Sequence, residues 1–268
     1  MDQPLVDHRF RAPLLAMVIA LIVGVFLIAP GGFAAKAHAV LHGLCAQRPS
    51  HTFSLGGQPL PFDARMTGIY GAFFLTSAYL IARGRTRAVL LPPRTVLAAL
   101  LLAVVLMGID GVNAFLFDIS APTLYLPDNR IRLVTGLFFG ITLATLLWFL
   151  FATTFWSSGL KREPMIHGFA ELLLIVVLTI PFAAVVLLGW GVAYIPITIL
   201  LMTSALTVVT LLVFCSWLLF TGRDRHYPTL SAAQRPLSLS MIAAVAFLLG
   251  IASARFWLEQ QFGLRTLG

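Results

Sequence analysis

The sequence predicts an all-α integral membrane protein, a bundle of about seven transmembrane helices with the N-terminus inside and the C-terminus outside. Three observations carry this expectation. Hydrophobic residues make up 59% of the 268 and charged residues only 10%, against about 25% charged in a soluble domain. Mean hydropathy is +0.95, more apolar surface than one soluble core of this length can hide. The apolar residues fall in separate runs near the roughly 20 residues that a helix needs to cross a hydrocarbon core.

Taken in order, the predicted spans are Pro13–Ile28, Thr67–Ala82, Thr95–Phe117, Ile131–Trp156, Gly168–Trp190, Tyr194–Phe220 and Leu239–Trp257. Backbone groups in lipid must be paired within the segment, and no period-2 alternation suggests a barrel, so the spans are read as helices. Pro181 and Pro196 are expected to kink the fifth and sixth. Tryptophans 148, 156, 190, 217 and 257 lie mostly near span ends, as in interfacial belts.

Net charge is +8, but the basic residues sit between apolar runs as topology determinants and form no nucleic-acid-reading face. Placing the N-terminus inside puts Arg9, Arg11, the group Arg83, Arg85, Arg87 and Arg94, then Lys161 and Arg162, and finally Arg223, Arg225 and Arg235 on the inner side. It leaves Lys36, Arg48, Arg65, Arg130, Arg132, Arg255 and Arg265 outside. The first span has an alternative as a signal peptide, with Ala35-Lys36-Ala37 resembling a cleavage site. The chain reads as a single polytopic membrane domain over 1–268, in the cytoplasmic (inner) membrane of a prokaryote, with the bilayer as its first partner and no nucleic acid.

The least apolar stretch, about 31–66, is longer than a connector requires and is expected to be an ordered outer loop. It carries Cys45, which is expected to be reachable from the outer side, a Gly56-Gly57 turn, and Arg65 at the mouth of the second span. The run from Cys45 to Phe53, then Gly57, then Pro61-Phe62-Asp63-Ala64-Arg65-Met66-Thr67-Gly68-Ile69-Tyr70-Gly71 resembles the "domain of unknown function 2085" family of predicted prokaryotic membrane proteins. Its pattern runs Cys-His-Gln-x-Pro, Arg-Ser-Phe, Gly, and Pro-x-Cys-x-Arg-Cys-Thr-Gly-Ile-Tyr-x-Gly. Weaker matches are Asp110-Gly111 and Asn129-Arg130-x-Arg132-x-x-Thr135-Gly136, so the resemblance covers about Leu41 to Gly140. The chain departs from the pattern at Ala46, where the family has His, and at Asp63 and Met66, where it has a Cys pair. If the family uses that set as metal ligands or redox thiols, the resemblance implies that the chemistry is lost here.

A metal site of Cys45, His51 and Asp63, or of His38, His42 and Cys45 at helical spacing, is a weak alternative, since neither matches a strong zinc pattern. No cofactor is expected. Paired in-span histidines, a seventh-span lysine, a phosphate-cradling Gly-rich loop and a nucleophile elbow are all missing from the sequence.

Asp110 lies inside the third span, where an ionised group costs about 2.5–3.5 kcal/mol unless it is paired. Asn113 follows on the same face. Three separate segments bring Arg65, Asp110, Asn113, Asn129, Arg130 and Arg132 to one side, with Arg48 and Tyr70 as further candidates for ligand binding. Two uses fit: an ion pair tying the second, third and fourth spans, with Asp118 left at the wet surface, or an anion site built on the planar forks of arginine. Glu171 is expected to snorkel or to pair with Lys161 or Arg162. The function read from these residues is a non-catalytic or accessory membrane subunit with a polar Arg/Asp cluster on its outer face, with other membrane subunits as partners. The alternative is an enzyme or carrier acting on an anionic lipid or small anion at that cluster, and the sequence leaves open whether there is catalysis.

Overall fold

The computed structural model describes residues 12–262, so Arg9, Arg11 and Arg265 of the topology argument lie outside the described residues. Every expected span folds as a helix. They are α1 (Ala12–Ile28), α3 (Ala64–Ala82), α4 (Arg94–Asp118), α5 (Asn129–Phe155), α6 (Phe169–Leu188), α7 (Tyr194–Phe220) and α8 (Gln234–Phe262). A short helix α2 (Phe33–Leu41) follows α1 at an angle of 119°. The protein is an all-α membrane protein: α4 to α8 are each long and apolar enough to cross a bilayer, and α1 with α2 passes the same test as one bent unit.

Helix α3 does not pass that test, and its packing explains why. It carries Thr67, Tyr70, Thr76, Ser77 and Tyr79, and its first two turns bury Thr67, Gly68 and Tyr70. A helix enclosed by protein need not present an apolar face to lipid. Its main neighbour is α5, and the two backbones meet through glycines. A Cβ on Gly136 would lie 2.3 Å from the Arg65 carbonyl oxygen, one on Gly140 2.3 Å from that of Ile69, and one on Gly68 2.4 Å from that of Leu133. Small residues at such crossings let van der Waals packing hold helices together where the hydrophobic effect cannot. Around this pair a continuous core runs from Phe62 and Phe73 through Ile141 and Phe155 to Phe214. Pro181 stays within α6.

The long loop is ordered. A 3-10 turn, Pro49–His51, leads to an antiparallel pair of β1 (Ser54–Leu55) with β2 (Gln58–Pro59), joined by Gly56-Gly57 at φ +58° and +80°. Positive φ at both turn residues is what a two-residue hairpin requires. The Gly56 N–H donates to the Gly189 carbonyl at 3.0 Å, which clips the hairpin to the α6–α7 turn. On the opposite side of the bundle, β3 (Ala88–Leu90) pairs in parallel with β4 (Lys161–Pro164), joining two connectors that the sequence reading left separate.

Candidate functional site

Asp63 caps α3 by accepting the Met66 N–H at 2.8 Å, which sets Arg65 in the first turn facing α4. The Arg65 Nη2 and Nε donate to Asp110 Oδ2 at 2.6 and 3.1 Å. Asp110 is 1% exposed, and its other oxygen accepts the Tyr125 hydroxyl at 2.8 Å. Thr135 of α5 donates to Oδ2 at 3.3 Å. One carboxylate is thus held by α3, by α5 and by the connector after α4. Asn113 pins that connector: its Oδ1 accepts the Leu124 N–H at 2.7 Å and its Nδ2 donates to the Tyr125 carbonyl at 2.9 Å. Burial, then the bond and charge of Asp110, push the Tyr125 hydroxyl up to about 12, so it stays a donor at neutral pH.

With Asp110 engaged on both oxygens, the adjoining cationic groups face a different space. A cavity of about 580 Å³ is lined by the cations Arg48, Arg130 and Arg132, the carboxylates Asp118 and Asp128, and His51, Phe117 and Asn129. A smaller one of about 170 Å³ continues from it toward Arg65 and Phe115, sharing His51, Asp118 and Arg132. Arg48 Nη1 pairs with Asp118 at 2.5 Å, and His51 Nε2 lies 3.7 Å from the other Asp118 oxygen. Asn129 joins the loop to α5: its Nδ2 donates to the Ser50 carbonyl at 3.0 Å, and its Oδ1 accepts from Arg132 Nη1 at 3.0 Å.

Arg132 is the unusual member. It is 5% exposed, and among the described residues neither it nor the exposed Arg130 has a carboxylate within ion-pair distance. With no carboxylate in direct contact, the Arg132 fork is left free to bind an anion, although Asp118 stands nearby and Asp128, which caps the start of α5, lines the same cavity. Burial, and then the Arg132 charge, lower the His51 pKa, against the opposing pull of Asp118.

Of the ligand-binding candidates, Arg48, Arg65, Asn129, Arg130 and Arg132 line the two cavities, while Asp110 and Asn113 stand behind them as supports. Tyr70 does neither: it stacks on Phe62, ring centroids 4.8 Å apart, inside the core, because its position on α3 points inward from the loop. Asp118 is not merely a wet surface group but closes the cavity with Arg48.

Cys45 is a correction. It is buried, its Sγ accepts the N–H groups of Asp63 and Gln47 at 3.3 and 3.4 Å, and burial with the Asp63 charge pushes the thiol up to about 12. The expected exposed thiol is absent because the loop folds over it. The alternative metal set of Cys45, His51 and Asp63 is not assembled: Asp63 is spent on the α3 cap and His51 faces Asp118. His42 bonds Gln47 and Glu259 at 3.0 and 2.9 Å, while His38 contacts the Pro59 carbonyl. Among the described residues no three His, Cys, Asp or Glu side chains are grouped to hold a metal ion.

Glu171 is a second correction. Its partners are Tyr79 at 2.9 Å, the His167 N–H at 2.6 Å and Arg85 at 3.4 Å, not Lys161 or Arg162. Arg85 reaches it because the 3-10 turn after α3 folds that side chain under the β3–β4 pair. The reading also missed the tie between Arg255, Glu259 and the loop, where Arg255 donates to the carbonyls of His42 and Cys45. Its sequence signal is weak, an Arg and Glu four apart at the end of a long span.

No curated protein and no solved structure matches the chain. Residues 45–146 match the family model described as "Predicted membrane protein (DUF2085)", a stretch that begins at Cys45 in the loop and contains every residue lining the two cavities. Over these residues the chain is similar to that family of predicted membrane proteins.

Proposed function

We propose that this multi-pass membrane protein binds an anionic group, a phosphate or a carboxylate, in the cavity between Arg48, Arg130 and Arg132. The observation that carries the reading is Arg132, a nearly buried guanidinium with one amide partner and no carboxylate. Its fork suits two oxygens of one anion, and Arg48 and Arg130 stand across the same space. The role is binding, within a non-catalytic or accessory subunit. The positive-inside bias puts the cavity on the outer face of a prokaryotic inner membrane.

Catalysis on the bound anion is the second reading, and His51 favours it. Its lowered pKa keeps the ring neutral at pH 7, and Asp118 lies near enough to orient it. Titrating purified protein with inorganic phosphate, read as ligand-dependent thermal stabilisation, tests the binding. Stabilisation that disappears in Arg132→Gln is expected; equal stabilisation of that variant, or none in the wild type, defeats the reading. Chemical turnover of a phosphate or carboxylate ester, abolished in His51→Gln while phosphate binding persists, would replace the binding role by the catalytic one.

A further inference from the structure

We infer that the anion is the headgroup of a membrane lipid, which enters the cavity sideways from the bilayer. This rests on the anion-binding reading and adds the source of the ligand. The argument begins with the outer surface of α4. Val105, Ile109, Val112 and Phe115 are all exposed and recur at spacings that put them on one face. The stripe they form ends at Phe115, which borders the smaller cavity, and Phe117, 48% exposed, borders the larger. An apolar track on a membrane helix therefore runs directly into an arginine-lined space.

The connector after α4 points the same way. Leu124 and Leu126 are 79% and 77% exposed, although Asn113 holds the backbone of Leu124 and of Tyr125 between them in place. Two ordered leucines standing free beside a polar cavity belong in acyl chains, not water. Depth agrees. The 25 residues of α4 rise about 37 Å at 1.5 Å each, so the helix exceeds a hydrocarbon core of roughly 30 Å and its last turn reaches headgroup level. Phe117 and Asp118 occupy that last turn.

Size completes the argument. A bare phosphate fills only a few water volumes of roughly 30 Å³ each, whereas the larger cavity holds about 580 Å³. A phosphodiester with its glycerol backbone uses that space, with its phosphate on Arg132 and its chains along Val112 and Phe115.

The test compares three probes on the purified protein: short-chain phosphatidylglycerol, the soluble fragment glycerol phosphate, and short-chain diacylglycerol, which lacks the phosphate. Phosphatidylglycerol should bind at least about tenfold more tightly than glycerol phosphate, a gap of about 1.4 kcal/mol. Arg132→Gln should weaken both. The surface double variant Leu124→Asn, Leu126→Asn should weaken the lipid alone and leave glycerol phosphate unchanged, with thermal unfolding showing that each variant is folded. Glycerol phosphate binding as tightly as the lipid, and lost in Arg132→Gln, would overturn the lipid source and leave the anion site standing. Binding of neither anion, or binding of the uncharged diacylglycerol as tight as that of phosphatidylglycerol, would overturn both.

Discussion

Two arginines, Arg85 and Arg132, are buried to nearly the same degree, 3% and 5% exposed, near opposite ends of the α3–α5 pair. Arg85 is matched by carboxylates: Glu163 at 2.9 Å and Glu171 at 3.4 Å, the latter also holding Tyr79 and the start of α6. Arg132 has one neutral amide and an open cavity. Burial alone thus does not separate the two cations; carboxylates in contact do, even though the buried Nε of Arg85 has no hydrogen-bond partner among the described residues. The same contrast recurs within the site, where the Asp110 carboxylate is engaged on both oxygens while the guanidinium of Arg132 is not.

The largest expected effects come from breaking the completed side. Asp110→Ala leaves Arg65 without its counter-charge, and Arg85→Gln takes the shared buried guanidinium from Glu163 and Glu171, leaving Glu163 only the exposed Lys161 at 3.8 Å. Each should cost about 3–5 kcal/mol, seen as a lower unfolding midpoint in a fixed detergent. Gly136→Ala should follow at about 1–3 kcal/mol, because its Cβ would meet the Arg65 carbonyl, a backbone atom with little room to yield.

A smaller effect should appear on titration. The His51 pKa is lowered from 6.5, so the unfolded chain binds this proton more readily than the folded one. Its contribution to stability is complete above pH 6.5 and is lost as pH falls below that toward the folded value. Only as pH falls through the folded value does His51 itself gain positive charge beside Arg132, so anion affinity should rise there, below the window in which stability falls. His51→Gln should flatten both dependences; an unchanged pH profile in that variant would remove His51 from the site. The smallest signal is chemical. Cys45 and Cys215 are both buried, and burial raises the Cys45 thiol pKa, so impermeant thiol reagents should label neither until the protein is denatured.

The sequence made some of this visible for a physical reason. Apolar runs long enough to span lipid are constrained by the bilayer itself, so the helices were legible to within a few residues at most ends. Asp110 was legible because a carboxylate within an apolar run must find a partner. Arg132 was legible as a member of the cluster, but its burial, and the partners of Arg85 and Glu171, were not, because charged residues near span ends ordinarily snorkel to water, and whether they fold inward depends on segments far away in the chain. The bond from His42 to Glu259 joins residues 217 positions apart, beyond the reach of any local pattern. Cys45 was misread for the same reason: the hairpin and the α3 cap that cover it are tertiary features. Tyr70 was grouped with the site because it shares a motif with Arg65, yet a helix sends residues five apart to different faces.

The most direct measurement is the thermal midpoint of wild type, Arg85→Gln and Arg132→Gln in one detergent, each with and without inorganic phosphate. The account predicts that Arg85→Gln is strongly destabilised yet still gains from phosphate, while Arg132→Gln keeps or exceeds the wild-type midpoint and gains nothing. An Arg132→Gln variant as unstable as Arg85→Gln, or one that phosphate stabilises as it does the wild type, would contradict it.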